Sequence, residues 1–387
     1  MFLQIHTLTS YHAALLNRDD AGLAKRIPFG NAERMRVSSQ CLKKHWRDDL
    51  HRSLDLPGGI RSRMFFEREV LRRVVEGGLD EATARKLVET LLKGVVQGGQ
   101  DKKNPLRLNQ PILFGKPEAD YFVQLIMESA REGEDPVKIL EQRLKSEKGN
   151  LRALLKSAGQ NDLYAGIEGA LFGRFVTSDI LARSDAAVHV AHAFTVHPLT
   201  TEVDYFTVVD DLKEEHEDAG AAHAGDMELG AGLFYGYVVV DVPLLVSNLS
   251  GCDRKEWKTQ PQETLEDARN VLARLIDAIT TVSPGAKLGS TAPYARAACV
   301  LLETGSAQPR TLANAYLKAI RPTGDLMQQS VDALSQHLNA IDAMYGREEQ
   351  RFLSAISSLD ITAFKDVEFG PLKYMVGKAM NSLFGAN

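Results

Sequence analysis

The feature that most constrains the fold is a stretch of almost entirely helical pattern, from Arg61 to Ala158, inside an otherwise mixed chain. Apolar residues recur there at helical spacing, in groups that begin near Met64, Leu87, Tyr121 and Val137. Glycine pairs and prolines separate the groups, as helix-breaking residues do. The pattern predicts a helical insertion or subdomain between the first strand and helix and the strands that follow.

Outside this stretch, alternating patterns predict strands and 3.6-residue patterns predict helices. In chain order we predict a strand at Phe2–Thr9, a helix at Ser39–Leu54, strands at Ile167–Val176, Val188–Pro198 and Leu233–Val242, a helix at Glu263–Val282, a strand at Arg296–Leu302, and helices at Leu312–Ile320, Leu326–Met344 and Leu372–Leu383. Tyr11–Asn31 is predicted to be a long loop because Pro28 and Gly30 oppose a helix. Without insertions the order is βαββαβ, so we predict an α+β, ferredoxin-like (RNA-recognition-motif) fold, which frequently binds RNA.

Basic residues are concentrated near the N-terminus. The segment Lys25–Arg47 carries seven basic side chains and one acid, Glu33, in a chain whose formal net charge is −5. Such a protein does not coat nucleic acid over its whole surface, but a single basic groove fits this balance. The segment is therefore either a cradle for phosphates or a solvated amphipathic helix behind a basic loop.

The helix that begins near Ser39 adds a second anion-binding feature. Its apolar residues repeat every four positions, at Leu42, Trp46, Leu50 and Leu54. Ser38 or Ser39 suits the N-cap, and a helix N-terminus favours an anion through its free N–H groups and its dipole. Lys43, Lys44 and Arg47 are off the apolar stripe and are predicted to face outward.

One histidine-rich stretch and one acidic pair have side chains that can bind metal ions. His189, His192 and His197 share one predicted strand, but alternation places His192 on the opposite face from the other two, so we predict no metal site there. The pair Asp19–Asp20 has the chemistry to hold Mg²⁺. The favoured interpretation is that these carboxylates pair with Arg18 or cap a turn.

The sequence gives no sign of catalysis, of structural cysteines or of a membrane segment. The sequence contains no standard catalytic signature, so we predict neither an enzyme nor a cofactor. Cys41, Cys252 and Cys299 form no CxxC pair, so neither a zinc site nor a disulfide framework is predicted. Met1–Ser10 lacks signal-peptide character and Phe234–Val246 is too short to span a bilayer, so we expect a cytoplasmic protein without membrane contact.

The insertion Leu199–Gly232 lies between two predicted strands and is either a projecting hairpin or a mobile loop. It contains the adjacent aromatics Tyr205 and Phe206, which point to opposite faces of a continuous strand. One of them can anchor the insertion while the other stacks on a base; the alternative is that both belong to the core. The acidic run Asp210–Asp218 is interpreted as a solvated loop or a contact for a basic partner.

Several sequence blocks resemble the CasC family, the backbone subunit of the type I-E CRISPR Cascade effector. The blocks are Leu16–Asp20 (LNRDD), Phe29-Gly30, Arg34–Gln40 (RMRVSSQ) with Leu42–Lys44, Ala170–Asp179 (ALFGRFVTSD), Asp204–Thr207 with Val209–Leu212, Phe234–Tyr237 and Pro284–Lys287. These blocks are distributed from the N-terminus to about residue 290, so the resemblance covers most of the chain. The Ser-Ser-Gln block with its flanking basic residues is the most specific of them.

The resemblance implies a right-hand shape with an RNA-recognition-motif palm, helical fingers and a thumb hairpin. The implied domains are a first palm part with the basic motif (1–58), helical fingers (59–160), palm strands (161–198), a thumb (199–232), and the palm completion with C-terminal helices (233–387). The resemblance also implies a non-catalytic scaffold whose copies line up along a CRISPR RNA and displace bases at intervals with their thumbs. Its partners would be CRISPR RNA, target DNA, other copies of itself and other Cascade subunits.

The resemblance assigns RNA-binding roles residue by residue. The positions that match its backbone-holding motif are Arg18, Lys25, Arg34, Arg36, Ser38, Gln40, Lys43 and Lys44, and those placed near bases are Phe175, Tyr205 and Phe206. Arg47 and Lys287 are added as RNA-binding candidates from charge and position alone. Two departures stand out: Glu33 occupies a turn that tends to be basic in the family, and Tyr205 stands where a tryptophan is expected.

Two alternatives stay open. Related backbone subunits of type III effectors cleave RNA with an acidic residue in a palm loop, so Asp19 and Asp20 suit a metal-dependent RNA endonuclease. The chain also suits a plain protein-interaction subunit without RNA contact. RNA retention and Mg²⁺-dependent cleavage separate these alternatives from the scaffold.

Overall fold

The computed structural model describes residues 1–54, 56, 58–96, 98–146, 166–174, 185–208, 223–285 and 288–385. The chain divides into two compact units. The first comprises Met1–Ser53, Val190–Val240 and Arg269–Asn387, and the second comprises Leu54–His189 and Asp241–Ala268.

Strands and helices alternate irregularly along the described chain. The strands are β1 (Phe2–Ala14), β2 (Arg26–Phe29), β3 (Ala32–Val37), β4 (Gly59–Ser62), β5 (Ile112–Gly115), β6 (Val188–Val190), β7 (Ala193–Thr195), β8 (Thr201–Val208), β9 (His223–Asp241), β10 (Cys299–Gly305), β11 (Gln350–Ala355) and β12 (Glu368–Phe369). The α-helices are α1 (Ser39–Ser53), α2 (Arg72–Glu76), α3 (Glu81–Val95), α4 (Lys116–Arg131), α5 (Pro136–Ser146), α6 (Gly166–Phe172), α7 (Val242–Ser250), α8 (Gln262–Thr281), α9 (Leu288–Thr291), α10 (Leu326–Tyr345) and α11 (Leu372–Phe384). A π-helical turn spans Phe66–Leu71, and 3₁₀ turns span Arg254–Thr259 and Ala313–Tyr316.

One large mixed sheet organises the first unit. Its strand order is β12-β11-β10-β1-β9-β7-β3-β2. β1 pairs antiparallel with β10, from Phe2↔Gly305 to Leu8↔Cys299, whereas β11 and β12 are parallel. β8 and β9 form an antiparallel hairpin within the predicted insertion. The sheet and its helices confirm the predicted α+β class.

Both faces of this sheet are covered by other parts of the first unit. On one face, strand residues such as Leu8 and Leu301 pack against the segment Leu312–Leu338. On the other, Trp46 of α1 and Ile279 of α8 line a cavity with residues of β1 and β9. RNA-recognition motifs commonly stack bases on one open face of their sheet. In the described part of this unit, packed segments lie on both faces of the sheet, so a base cannot stack on an open sheet face in this way.

A chain of buried and half-buried ionisable groups crosses the covered sheet, and we call it the buried ionic network: His6, Glu303, Arg310, Asp342 and Arg351. Arg351 donates to Glu303 at 2.8 Å and to Asp342 at 2.5 and 2.7 Å. Arg310 donates to both oxygens of Glu303 at 2.8 and 2.9 Å, and His6 lies 3.1 Å from Glu303. These bonds tie β1, β10, β11 and α10 together.

The second unit has a core of its own, made mainly by α2–α5, the π-helical turn and β5. Phe65, Phe66, Phe114 and Phe122 are almost fully buried, and the rings of Phe65 and Phe114 stack at 4.3 Å. Burial of aromatic rings supplies much of the hydrophobic stabilisation of a small core. The four predicted helical groups are present where the structure describes them, so the helical character of this stretch is confirmed.

The prediction of a strand over Ile167–Val176 is wrong for the described part, which forms helix α6. A short apolar run does not distinguish a buried strand from a buried helix by periodicity. Gly166 has φ +71°, and a Cβ there would overlap the backbone of Gly58 and Gly59. Glu168 then accepts a hydrogen bond from the Gly59 N–H at 2.5 Å. This close approach starts a helix where the sequence pattern favoured a strand.

Two further predictions need correction, and some strands were missed. Tyr11–Asn31 is not a long loop, because β1 continues to Ala14 and β2 begins at Arg26; Pro28 is tolerated because β2 is an edge strand. Leu312–Ile320 forms only a 3₁₀ turn, because N–H groups at both ends of the segment donate to residues distant in sequence, as Ile320 does to the Val196 carbonyl at 3.0 Å. Strands β11 and β12 were not predicted.

Candidate nucleic-acid interface

The basic segment folds as the β2–β3 hairpin followed by α1. The hairpin turn uses Gly30 with φ +60°, and a Cβ there would overlap the Leu317 carbonyl oxygen. Asn31 holds the same segment, because its side chain accepts a hydrogen bond from the Ala319 N–H at 2.7 Å. The basic hairpin therefore rests on the 3₁₀ region that precedes α10.

Arg34 does not belong to the exposed basic surface, although the resemblance places it among the residues that hold the RNA backbone. Its side chain is 0% exposed and donates to the carbonyls of Thr195 at 2.9 Å and Tyr316 at 2.8 Å. Burial lowers the pKa of its guanidinium. Arg34 fastens the hairpin to the unit, and in this conformation it does not reach a phosphate.

Ser38 is the N-cap of α1, as predicted, and this role occupies its side chain. Its hydroxyl accepts from the Cys41 N–H at 3.3 Å, while its own N–H donates to the Asn17 side chain at 2.9 Å. Ser38 is 6% exposed, whereas Gln40 in the first turn is exposed. Ser38 thus fixes the helix start, and Gln40 is the polar side chain presented there.

Cations from three separate elements converge on His192. Arg36 of β3 donates to His192 Nδ1 at 3.0 Å. Burial lowers the pKa of His192, and the positive charges of Arg36, Lys25 and Lys43 lower it further. Lys25 follows the loop before β2, Arg36 is on β3 and Lys43 is on α1, and all three are partly exposed. We call Lys25, Arg36, Lys43 and His192 the cationic cluster.

Other predicted cations lie nearby and have carboxylate partners. Lys44 contacts Asp48 at 2.6 Å, one helical turn away, and Arg47 contacts the same carboxylate at 3.9 Å. The Lys44 side chain is nevertheless 61% exposed, and exposed pairs of this kind contribute only about 0–1 kcal/mol. The contact between Lys44 and Asp48 can therefore break at little cost, and Lys44 can then contact an anion such as a phosphate. Arg18 is exposed in the loop before β2.

Asp19 caps a turn, which agrees with the favoured interpretation of the Asp19–Asp20 pair. Its carboxylate accepts from the Ala21 N–H at 2.9 Å and the Leu23 N–H at 3.0 Å. In the part of the chain that the structure describes, no group of three or more histidine, cysteine or acidic residues is arranged to hold a metal ion.

Glu228 of β9 joins the loop before β2 to the β8–β9 hairpin. Its carboxylate accepts from the Ala24 N–H at 2.6 Å and from Arg26 at 2.6 Å. Burial raises the pKa of this carboxyl, but the hydrogen bond from Ala24 and the neighbouring Arg26 outweigh it, so the pKa is lowered. Glu228 therefore neutralises Arg26 and fixes the hairpin beside the basic loop.

The hairpin separates the two predicted aromatics by exposure. Tyr205 is 68% exposed. Phe206 packs on the other face over Gly225, where an added Cβ would lie 2.8 Å from its ring. Val203 pairs with Glu228, so by alternation Tyr205 shares the face that carries Glu228 and the basic loop. Tyr205, rather than Phe206, is the aromatic ring presented beside the basic residues.

Some predicted residues lie outside the described ones, namely Phe175, Lys287 and the acidic run Asp210–Asp218. Arg174, which precedes Phe175, is buried and donates to both carboxylate oxygens of Glu118 at 2.7 Å.

Sequence reasoning missed His192 and Glu228 as parts of this surface. His192 was considered only as a metal ligand, and Glu228 is an acid in a basic neighbourhood. Alternation along one strand was not a sufficient signal, because His189 and His192 are both exposed whereas His197 is 3% exposed, and His192 lies in the break between β6 and β7.

The fold and this surface define a mixed α+β protein with a cationic cluster at a sheet edge and helix start. The family model described as CT1975-like protein matches residues 3–378, so the chain belongs to the CT1975-like family. This membership confirms the predicted assignment to Cascade backbone subunits of the CasC kind. Assignment to type I-E stays a prediction.

Two solved structures share the fold. One is described as a CRISPR RNA-guided surveillance complex, pre-nicking, with 22% identity, 99% of this chain and 100% of that chain covered, and a TM-score of 0.80. The other is described as a CRISPR RNA-guided surveillance complex, with 20% identity, 99% and 100% coverage and a TM-score of 0.72. No curated protein matches the sequence. Among the described residues, no helix is long and apolar enough to cross a membrane.

Proposed function

We propose that this protein is a non-catalytic, multi-copy scaffold that binds CRISPR guide RNA along its backbone in a cytoplasmic, type I-E RNA-guided DNA surveillance complex. The observation that carries the proposal is the convergence of Lys25, Arg36 and Lys43, from three elements, on one partly exposed point. Cations gathered in this way suit phosphates, which position a protein on nucleic acid without reading its sequence.

The topology supports a palm of the ferredoxin-like kind. Taking β1, α1, β7, β9, α8 and β10 as the βαββαβ elements, the strands lie in the order β10-β1-β9-β7, which is the ferredoxin-like order 4-1-3-2. Because Leu312–Leu338 covers one sheet face, RNA would follow the β2–β3 hairpin and the start of α1 instead. The second unit would supply the fingers and β8–β9 the thumb.

The exposed ring of Tyr205 suits the displacement of a base. Stacking of a base on an aromatic ring contributes about 1–3 kcal/mol and tolerates any sequence. The side chain lies on the hairpin face that also carries Glu228, beside the basic loop. A backbone held by cations and a base stacked on Tyr205 leave neighbouring bases available for pairing with target DNA, so that pairing reads the sequence.

The test is RNA retention by the purified protein. Lys43→Glu with Lys44→Glu should remove most bound RNA, because two attractive charges become repulsive. The matched control is Arg85→Glu with Lys86→Glu on α3, since these are also adjacent exposed cations and Arg85 contacts Glu81 one turn away, as Lys44 contacts Asp48. The ratio of absorbance at about 260 nm to that at about 280 nm measures the bound RNA, and nuclease sensitivity identifies it as nucleic acid. Unchanged retention in the first variant would refute the RNA-binding proposal.

The endonuclease alternative has its own outcome in the same preparation. With Mg²⁺ and RNA complementary to the bound guide, we expect intact RNA, because Asp19 is engaged by the N–H groups of Ala21 and Leu23. Periodic cleavage that disappears in Asp19→Ala or Asp20→Ala would overturn the non-catalytic role while leaving RNA binding in place.

A further inference from the structure

His192 is exposed and sits between β6 and β7, directly beside Arg36. The distance from Arg36 Nη1 to His192 Nδ1 is 3.0 Å. A guanidinium only donates hydrogen bonds, so Nδ1 must be the acceptor and the imidazole is neutral with its hydrogen on Nε2. Arg36 therefore selects one tautomer of His192, and that tautomer carries its donor on Nε2.

Among the described residues, the charges that act on the pKa of His192 are positive. They are Arg36 on β3, Lys25 before β2 and Lys43 on α1, and with burial they hold the pKa of His192 below its ordinary value. An anion that binds among these cations reverses the sign of the local field. A nearby negative charge favours the protonated imidazole, as any opposite charge favours the charged form of a titrating group.

We propose that His192 is a further RNA-binding residue, which donates from Nε2 to a backbone phosphate oxygen of the guide RNA and takes up a solvent proton at Nδ1 as that phosphate binds. The proposal rests on the proposed RNA-binding function and adds a residue and a proton to it. Once Nδ1 carries a hydrogen, it no longer accepts from Arg36. The Arg36 guanidinium is then released to the same phosphate.

The linkage has a definite sign. RNA binding raises the pKa of His192 from its lowered value in the free protein. RNA-bound protein therefore holds more protons than free protein at any pH between the two pKa values. Affinity must increase as pH falls through that interval, with a limit of about tenfold per pH unit for a single proton.

The experiment measures binding of a fluorescent oligouridine without terminal phosphates to the full-length protein, by anisotropy, from about pH 7.5 to about pH 5.5 at fixed ionic strength. Neither uracil nor an internal phosphate titrates in this range, so the pH dependence belongs to the protein. Wild-type affinity should rise several-fold toward low pH, up to about tenfold per unit. His192→Gln should flatten this rise, because glutamine keeps an acceptor for Arg36 and a donor for RNA but does not titrate.

His337→Gln is the matched control. Burial and the charge of Arg310 also lower the pKa of His337, but it lies on α10, away from the cationic cluster in the chain. This variant should retain the wild-type pH profile. Calorimetry in two buffers of different ionisation enthalpy should show proton uptake on RNA binding that is lost in His192→Gln and kept in His337→Gln.

The outcomes separate this inference from the proposed function. Salt-sensitive RNA binding whose pH dependence is identical in wild type and His192→Gln would overturn the role of His192 and leave RNA binding standing. An absence of RNA binding by the wild type at every pH would overturn both. A flattened profile in His337→Gln as well would assign the effect to general acid sensitivity and overturn the inference.

Discussion

The cationic cluster and the buried ionic network both contain arginine and histidine, but their arginines have different kinds of hydrogen-bond acceptor. In the network, Arg351 and Arg310 both donate to the buried carboxylate of Glu303. In the cluster, Arg36 donates to a neutral histidine and to a backbone carbonyl. A buried cation requires a fixed partner, because an uncompensated charge in the interior is very costly. A cation at the surface without that partner can exchange its contacts for a ligand.

The largest effect should come from breaking the network with Arg351→Met. The substitution leaves Glu303 and Asp342 without their shared cation, and loss of one member of a buried ion pair costs about 3–5 kcal/mol. Urea denaturation measures this change. The control Arg347→Met removes an exposed arginine whose partner Asp366 is also exposed, and should cost no more than about 1 kcal/mol. Equal losses in the two variants would contradict the contrast between buried and exposed pairs.

A smaller effect should separate Arg34 from Arg36, two arginines of one strand. Arg34→Met should lower stability by about 1–3 kcal/mol, because the carbonyls of Thr195 and Tyr316 lose a buried donor. Arg36→Met should change stability by about 0.5 kcal/mol or less but reduce the salt dependence of RNA binding by one phosphate contact, a slope change of about 0.7. Denaturation and anisotropy across a salt series report the two effects. A lower salt slope in folded Arg34→Met would return Arg34 to the RNA-binding surface.

The smallest effect concerns mild acid, which should act on the two regions with opposite sign. Burial lowers the pKa of His6 by more than Glu303 raises it, so the unfolded chain binds this proton more readily below about pH 6.5. Stability from His6 is therefore complete above that pH and decreases as pH falls below it. RNA affinity should increase over the same interval. Urea denaturation of wild type and His6→Gln above and below about pH 6.5 tests the effect on stability. A larger loss of stability in acid for His6→Gln than for wild type would contradict it.

Local patterns predicted some of the elements that carry the site but missed the β2–β3 hairpin. The four-residue repeat from Leu42 and the serine before it predicted α1 with its cap, and Tyr205 and Phe206 were correctly expected to face opposite ways. Local patterns could not distinguish Arg34 from Arg36. Both are arginines on the same side of β3, and Arg34 is the one that reaches the carbonyls of Thr195 and Tyr316, which are distant in sequence.

Long-range packing also explains the missed elements of the first unit. The segment from Leu312 has helical spacing, but its N–H groups are engaged by residues distant in sequence, including the Tyr235 hydroxyl at 3.0 Å. Tertiary hydrogen bonds there outweigh a weak local preference. Nothing in the spacing of its apolar residues shows that the segment covers a sheet face, so its effect on where RNA can bind became visible only in the folded unit.

The bond between Arg34 and the Tyr316 carbonyl spans 282 residues and therefore sets an order of events on the ribosome. At about 5–20 residues per second, Arg34 is synthesised about 14–56 s before its acceptor exists. During that interval the basic hairpin lacks the segment on which its turn at Gly30 rests. Until translation has passed residue 316, the Arg34 guanidinium therefore lacks the Tyr316 carbonyl that holds it in the finished protein, and the edge that carries the cationic cluster is incomplete.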